Sequence, residues 1–373
     1  MLITVFNAIS HFLVDAACVA ALFSFGTETL ALSSAVVVYN TLAFSTQCLV
    51  GLLMDRALKR GRTRSDYLML CGIVQAAAMF VVAAAALYPF GLMIKAVLIG
   101  LGNSVFHVAG GSVTLDRSGG KAAPLGIFVA PGAFGVTLGV LYPQIMDYIC
   151  AALGIAAVAC FSIYRRSVFH KDLGNTAEKT TVAGQASVHG AADPNADGKG
   201  FAADTLTRKA AKSDPILPVA FLTFAVAVRA IGGSAAEFTW KTGAAASLLL
   251  TLFVFLGKAL GGFVCDRLGV VKPAIASIAV AAILTAFFAW SMPLSFVGQL
   301  LINLSMPVTL WLMYRHIPDY PGLAFGLAAS ALWPGALIGG LIKLTGPLQS
   351  LLIIVCFLLG LGAIIYSEKV LSK

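Results

Sequence analysis

Twelve long runs of apolar residues constrain the fold of this chain more than any other feature. Each run reaches the length of about 20 residues that an α-helix needs to cross the hydrocarbon core of a bilayer. They lie near residues 3–25, 31–54, 66–87, 89–112, 122–142 and 144–164, and near 215–237, 243–264, 271–291, 293–314, 322–342 and 347–367. β-Barrel strands are shorter and alternate in polarity, unlike these runs. The sequence therefore predicts an all-α integral membrane protein with 12 transmembrane helices.

Composition excludes the soluble classes. The 373 residues are 59% apolar and 11% charged, whereas a soluble domain has about 25% charged residues. Twelve spans use roughly 240 residues, which leaves no room for a separate catalytic domain of ordinary size. The formal net charge is +9, but the basic residues lie mostly in short loops, which is typical of loops facing an anionic membrane leaflet. We therefore expect the lipid bilayer, and not nucleic acid, as the partner of this surface.

The basic loops also predict the orientation. Basic residues follow spans 2, 4, 6, 8 and 10, for example Arg56, Arg117, Arg165, Arg267 and Arg315, and the opposite loops contain few. Because basic loops stay in the cytoplasm, both termini are predicted to be cytoplasmic. The first apolar run lacks the basic segment and cleavage site of a signal peptide, so it is interpreted as a permanent span. We expect a multi-pass protein of the cell (inner) membrane.

The chain divides into two halves that look related. Residues 166–214 are small and polar, and they predict a flexible cytoplasmic linker between an N-terminal six-helix bundle (1–165) and a C-terminal one (215–373). A G-x-x-x-D-R pattern occurs at the ends of spans 2 and 8, at Gly51, Asp55 and Arg56 and at Gly262, Asp266 and Arg267. Spans 4 and 5 match spans 10 and 11 at an offset of 200, through Asn103 and Asn303 and through Gly126, Gly135 and Gly139. Repeated six-span halves are typical of transporters whose site lies at the repeat interface near mid-membrane.

These motifs resemble those of the major facilitator superfamily. Its loop signature follows spans 2 and 8, and in this chain the first copy departs from the usual pattern after Arg56. Three further stretches resemble the fosmidomycin-resistance branch of efflux proteins: Ser10-His11-Phe12-Leu13-Val14-Asp15, Gly102-Asn103-Ser104-Val105-Phe106-His107 and the glycine-rich span 5. Gly126, Pro131 and Gly135 of span 5 resemble the superfamily's antiporter motif, although simple close packing of small residues explains them equally well. The resemblance implies two pseudo-symmetric bundles, a cavity lined by spans 1, 4, 7 and 10, and export by proton antiport.

Three ionisable residues are candidates for proton coupling. Asp15 lies about 12 residues, or roughly 18 Å, into span 1, near mid-membrane, and His11 lies one turn earlier on the same face. An ionisable group at this depth is a functional candidate, because it costs several kcal/mol unless it is paired or hydrated. By the resemblance, His107 of span 4 joins His11 and Asp15 in one polar cluster. The alternative is a structural histidine–aspartate contact.

Five further polar residues are candidates for substrate binding: Arg229, Asn103, Lys95, Gln299 and Asn303. Arg229 of span 7 stays protonated and needs an anion, which could be Asp15, a substrate carboxylate or a phosphonate. For Lys95 the alternative is a side chain that extends to the outer surface. Gln299 and Asn303 share a stripe on span 10, with Pro307 as a predicted kink. Lys258 of span 8 is expected to extend to the cytoplasmic end rather than to contact substrate.

The two G-x-x-x-D-R loops are expected to gate the cytoplasmic face, with the acids capping helices or pairing across the halves.

The sequence has no G-x-x-x-x-G-K-[ST] loop and no H-E-x-x-H motif, so neither a P-loop motor nor the common zinc protease is indicated. Seven cysteines lie in apolar runs and predict no disulfide or metal site. We therefore expect no enzyme, no cofactor and no metal, but a monomeric transporter that uses protons to export a small polar or anionic molecule. Proton-coupled uptake of an organic anion is the first alternative, and a non-transporting membrane sensor is the second.

Overall fold

The computed structural model describes residues 1–26, 30–59, 63–186 and 214–372, without the side chains of residues 58–59 and 168–186. These residues form helices and connecting turns, and no β-strand occurs among them. The first six membrane-crossing helices, α1 to α6, are Leu2–Phe23, Leu30–Ala57, Arg64–Leu87, Leu92–Asp116, Ala123–Leu141 and Met146–Ala186. The second six, α7 to α12, are Ile216–Ala235, Gly243–Leu268, Val271–Phe287, Met292–His316, Pro321–Leu341 and Gly346–Ser372.

Helix length confirms the predicted fold class. In the described part of the chain, eleven helices are long and apolar enough to cross a membrane. For α6, the stretch that meets this criterion is Pro143–Ser167, which includes the short helical turn before Met146. The twelfth, α9, has 17 residues, and is shorter than the predicted run 271–291 because the chain turns before Pro293. The boundary at 165 and the linker 166–214 stay predictions, since the backbone of α6 continues to Ala186 and residues 187–213 lie outside the description.

Three of the helices that flank the centre are interrupted. A π-helical turn at Thr41–Ser45 divides α2, and α5 divides immediately before Pro131. In α10 the first segment ends at Asn303, four residues before Pro307. A proline ring clashes with the carbonyl group four residues earlier, so this break is the kink that Pro307 predicts.

The packing of matched glycines confirms the internal repeat. Gly126 of α5 packs against α8, where an added Cβ would lie 2.6 Å from the Lys258 carbonyl oxygen. Its match Gly326 packs against α2, where a Cβ would lie 2.3 Å from the Gln47 carbonyl oxygen. The pairs α5–α8 and α2–α11 therefore form equivalent contacts between the two halves. Small residues allow such close backbone approach in lipid.

The position of each helix follows from its burial. About two thirds of the apolar window of α1 is buried (67%), and α4 is similar (61%), whereas only 28% of the α6 window is buried. Accordingly α1 and α4 lie inside the first half and α6 lies on its periphery. This arrangement brings the polar stripes of α1 and α4 toward the centre of the molecule.

We predict that Gly326→Ala lowers the thermal stability of the purified protein. The added methyl group would overlap the Gln47 carbonyl oxygen, and overpacking of this kind costs about 1–3 kcal/mol. The measurement is the midpoint of thermal unfolding in detergent. Gly362→Ala in α12 is the matched control, because nothing lies within 4 Å of its added Cβ. Equal midpoints for the two variants would contradict the close α2–α11 contact.

Candidate functional site

A central cavity of about 380 Å³ lies between the two halves. Its walls come from α1, α2, α4 and α5 of the first half and from α7, α8, α10 and α11 of the second. Its polar and charged lining residues are His11, Asp15, Gln47, His107, Arg229, Ser234, Lys258, Gln299, Asn303 and Thr309. Apolar and small side chains make up the rest of the wall. Most of the residues predicted for proton coupling and substrate binding therefore share one cavity.

The three predicted proton-coupling residues are in direct contact. The His11 Nε2 atom lies 3.1 Å from Asp15 Oδ2 and 2.8 Å from His107 Nε2. His107 Nε2 lies 3.7 Å from Asp15 Oδ1. The two rings meet edge to face with centroids 4.4 Å apart. The structure thus brings together the residues that the sequence placed on two separate helices.

Backbone carbonyl groups fix the orientation of both imidazoles. His11 Nδ1 lies 2.8 Å from the Phe128 carbonyl oxygen of α5, and His107 Nδ1 lies 2.9 Å from the Asn103 carbonyl oxygen one turn earlier in α4. A carbonyl oxygen only accepts, so each Nδ1 carries the hydrogen. Both Nε2 atoms consequently point toward Asp15 and toward each other.

Asn103 supports the cluster from behind and does not line the cavity. Its side-chain amide donates to Asp15 Oδ1 (2.9 Å) and to the Tyr39 hydroxyl oxygen (3.1 Å). It is 1% exposed, because its position one turn before His107 directs it toward α1 and α2. The predicted substrate contact of Asn103 is therefore replaced by a contact that holds the aspartate.

Gly132 of α5 is a site residue that sequence reasoning missed. A Cβ at this position would lie 2.3 Å from His11 Nε2 and 2.6 Å from Asp15 Oδ2. Only a residue without a side chain lets α5 pack directly on the cluster. Its position immediately after Pro131 of the recognised motif is the signal that could have identified it.

Arg229 faces the cavity from α7. Its Nε–H donates to the Ala225 carbonyl oxygen (3.2 Å), and its terminal nitrogen donates to the Ser305 hydroxyl oxygen. Among the described residues no carboxylate lies within 4 Å of the guanidinium group. The ion pair with Asp15, one of the alternatives for Arg229, is therefore not formed in this conformation.

Lys258 also lines the cavity, and the prediction that it extends to the cytoplasmic end is wrong. Its position 15 residues after the start of α8 places it at the depth of the cavity rather than at the end of the helix. The repeat offset of 211 that relates the two loop motifs also relates Lys258 to Gln47, another lining residue. Lys258 has no hydrogen-bond or ion-pair partner within the described part of the chain.

Two polar residues of α10 complete the wall. Gln299 and Asn303 both line the cavity, and their binding of substrate stays a prediction. The Asn303 side-chain amide donates to the Gln299 carbonyl oxygen (2.8 Å). The side-chain amide of Gln299 and the Asn303 Oδ1 atom have no partner among residues for which side chains are described, so both can bond to a molecule in the cavity.

Lys95 lies outside the cavity, which corrects its assignment to substrate binding. Its ammonium group donates to the Ala86 carbonyl oxygen at the end of α3 (2.7 Å) and lies 5.2 Å from the centre of the Phe25 ring. Lys95 is in the first turn of α4, so its side chain reaches the end of the bundle opposite to the two motif loops. Lys95 is only 4% exposed there, so the alternative, a side chain that extends to the outer surface, is not observed either.

The two motif aspartates cap helices of the opposite half. Asp55 accepts hydrogen bonds from the backbone N–H groups of Gly322 (2.9 Å) and Leu323 (2.7 Å) at the start of α11. Asp266 accepts from Ala122 (2.7 Å) and Ala123 (3.0 Å) at the start of α5. A carboxylate is stabilised at a helix N-terminus by the free N–H groups and the helix dipole. The halves are thus joined twice, in equivalent ways, at the predicted cytoplasmic end.

Glycines of the same motif make these caps possible. A Cβ at Gly51 would lie 2.1 Å from the Gly322 carbonyl oxygen, and a Cβ at Gly262 would lie 2.4 Å from that of Ala122. Arg56 and Arg267, the motif arginines, are exposed. The glycine of each motif therefore sets the close approach and the aspartate makes the bonds.

Comparison with known proteins identifies the fold. No family model and no curated protein matches this sequence. An asparagine-to-alanine variant of the E. coli fucose:proton symporter FucP superposes with a TM-score of 0.58, at 13% identity over 98% of each chain. FucP in the outward conformation, described as a major facilitator superfamily transporter, gives 0.57 and 12% over 98% of each chain. The human organic anion transporter MFSD10 (TETRAN) gives 0.57 and 12% over 99% of each chain. The chain therefore has the major facilitator fold, whereas its resemblance to the fosmidomycin-resistance branch stays a prediction.

We predict that Asp55→Ala opens the predicted cytoplasmic end, because it removes both acceptors from the start of α11. Loss of a helix cap costs about 1 kcal/mol, enough to shift a balanced equilibrium severalfold. The measurement is the distance between spin labels at Lys121 and Lys272, one in each half, after replacement of the native cysteines. Asp319→Ala is the matched control, since Asp319 is exposed in the loop before α11. An unchanged distance distribution in Asp55→Ala would show that the cap does not hold the halves together.

Proposed function

We propose that this protein is a secondary active transporter that moves a small anionic molecule by alternating access and couples this movement to protons. The observation that carries the proposal is a single cavity with two chemically different walls. The first half contributes the His11–Asp15–His107 cluster, and the second half contributes Arg229 and Lys258. Two fixed cations therefore face one carboxylate, and that carboxylate is already bonded to His11 and Asn103.

The charge of the second wall supports an anionic substrate. A buried cation without a counter-ion is costly, and a bound anion offsets that cost. The planar guanidinium of Arg229 can hold a carboxylate or phosphonate through two parallel hydrogen bonds. Lys258 can reach the same anion as a point charge, while Gln299 and Asn303 supply neutral donors and acceptors. MFSD10, which has the same fold, is an organic anion transporter.

The first wall supports proton coupling. An imidazole ordinarily titrates near neutral pH, so it can take up and release a proton under physiological conditions. FucP, of the same fold, is a proton symporter. The proton and the substrate would thus bind on opposite sides of one cavity, each held mainly by one half.

The caps at Asp55 and Asp266 supply the gate. They join the halves at the predicted cytoplasmic end in this conformation. Rocking of the halves would break them and expose the same cavity to the other side. Hydrogen bonds between backbone N–H groups and a carboxylate, worth about 1.5–3 kcal/mol each, are weak enough to break in every cycle. The gating role proposed for the two motif loops rests on this reversibility.

For direction we propose export by proton antiport, which the antiporter-like residues Gly126, Pro131 and Gly135 support. Uptake by symport is the second candidate. An anion beside Arg229 and Lys258 would reduce their repulsion of a proton on the histidines, which favours binding of both together. An imposed pH gradient across inside-out vesicles separates the two directions, because antiport and symport move substrate oppositely relative to the proton.

We predict that Asp15→Asn abolishes gradient-driven transport and retains substrate counterflow. The amide keeps the shape of the side chain and removes its charge, so exchange of substrate can continue while the coupling of substrate to protons is lost. Both activities are measured in proteoliposomes. Asp147→Asn, in an exposed position at the start of α6, is the control. Unchanged driven transport in Asp15→Asn would remove Asp15 from the mechanism.

We predict that Arg229→Lys and Lys258→Met each weaken the binding of anionic ligands by about tenfold, or 1.4 kcal/mol. Lysine cannot reproduce the two-pronged contact of arginine, and methionine keeps the length of lysine without its charge. The measurement is thermal stabilisation of the purified protein by a panel of organic acids and phosphonates. Lys95→Met is the matched control, since Lys95 lies outside the cavity. Affinities equal to that of the control would contradict the anion site.

A further inference from the structure

We propose that one proton resides on the Nε2 atom of His11 in this conformation, where it is shared with the Nε2 atom of His107 and faced by the Asp15 carboxylate. This deepens the proposed proton coupling, on which it rests, by assigning the proton to one atom and to a histidine pair. The geometry of the pair supplies the argument.

The hydrogen-bond inventory of the two rings requires an additional proton. Each Nδ1 already donates its hydrogen to a carbonyl oxygen, of Phe128 for His11 and of Asn103 for His107. In a neutral imidazole the other nitrogen is then a bare acceptor. Two bare Nε2 atoms would face each other at 2.8 Å, which is repulsive. With a proton between them, the same distance is that of an ordinary hydrogen bond.

Three positions for this proton can be compared. On Asp15 Oδ2 it would bond to His11 (3.1 Å) but leave the two Nε2 lone pairs in contact. On His107 it would bond to His11, but Asp15 Oδ1 lies beyond hydrogen-bond distance at 3.7 Å. On His11 Nε2 it can bond to both His107 and Asp15. Only this position satisfies every short contact in the cluster, with His11 as imidazolium and Asp15 as carboxylate.

A metal ion is the other occupant to consider, since His11, Asp15 and His107 could present three ligand atoms to one ion. Two nitrogen ligands of a tetrahedral zinc ion, each about 2.0–2.1 Å from the metal, are about 3.3 Å apart. The observed 2.8 Å between the Nε2 atoms is too short for that geometry. Arg229 and Lys258 on the opposite wall also disfavour a divalent cation. The distance and the charges both favour the proton.

The charged and titratable groups around the pair come from several helices. Asp15 and His107 are in direct contact with His11, and Tyr39 of α2 reaches the cluster through Asn103. Arg229 of α7 and Lys258 of α8 face it across the cavity. From α5 the contacts are the Phe128 carbonyl oxygen and Gly132, neither of which titrates. Asp15 therefore provides the negative charge beside the proton, and the two cations oppose it.

Loss of this proton would change the packing of the first half. The two Nε2 lone pairs and the Asp15 carboxylate would then repel one another at 2.8–3.1 Å. Relief of that repulsion requires either rotation of one imidazole, which breaks its bond to a backbone carbonyl oxygen, or movement of α1 relative to α4. Because α5 packs directly on the pair at Gly132, the movement would reach the α5–α8 contact between the halves.

The test is solid-state ¹⁵N NMR of histidine-labelled full-length protein in lipid nanodiscs near neutral pH. We expect His11 to show an imidazolium ring, His107 to show a neutral ring with a bare Nε2, and the two Nε2 nitrogens to be linked by a hydrogen-bond coupling. His107→Gln should lose that coupling. His316→Gln should keep it, because the His316 imidazole bonds to the Ser367 carbonyl oxygen, outside the cavity.

Two results would overturn the assignment, and both can be obtained from the wild-type protein alone by its spectrum and its metal content, even if a variant fails to fold. One is a pair of neutral rings without coupling. The other is one zinc per chain with Nε2 shifts of a coordinated ring, which would identify a metal site. Proton flux in proteoliposomes is measured in parallel. A hydrogen-bond coupling between the two Nε2 nitrogens without proton flux contradicts the proposed function. Proton flux without that NMR coupling contradicts only the position of the proton.

Discussion

Burial of charge in a hydrocarbon environment is the constraint on which this structure depends. Each ionisable side chain at mid-membrane costs several kcal/mol unless it meets water or a partner. Asp15, His11, His107, Arg229 and Lys258 all meet this requirement in the same way, by facing one cavity between the halves. The helix order, the repeat and the glycine contacts together place that cavity at the centre. A single space between the halves thus accommodates five costly residues.

The two halves divide the chemistry of that space. The first half holds its charges in a dense network, where Asp15 has contacts with His11, His107 and Asn103. The second half leaves its cations comparatively free, with Lys258 unpaired among described residues and Arg229 bonded only to neutral oxygens. A network that satisfies itself suits a small occupant such as a proton, whereas unpaired cations suit a larger and more variable anion.

The sequence predicted the helices and the pairing of His11 with Asp15 because these depend on local patterns, whereas the place of His107 beside them was implied by the family resemblance. Span length and helical spacing placed His11 beside Asp15, and the repeat located Asp55 and Asp266. Tyr39 and the Phe128 carbonyl group were not predictable, because their contacts depend on how α2 and α5 pack against α1 and α4. Gly132 was signalled only by its place after Pro131 of the recognised motif. The depths of Lys95 and Lys258 were also ambiguous, since a long side chain can extend in either direction along its helix. Lys95 lies in the first turn of α4 and Lys258 lies 15 residues into α8, so the observed helix boundaries resolve this ambiguity.

The caps at Asp55 and Asp266 have a consequence for sequence divergence. Each aspartate bonds to main-chain N–H groups, which nearly every residue type provides, and not to a side chain on the opposite helix. Substitution at the start of α5 and α11 therefore removes no side-chain donor, and space restricts it instead: a Cβ at Gly322 would lie 2.9 Å from Asp55 Oδ1, and Ala122 is buried. An interface with this construction would demand small residues on one side and an acid with a glycine on the other, so its two faces would evolve under different constraints.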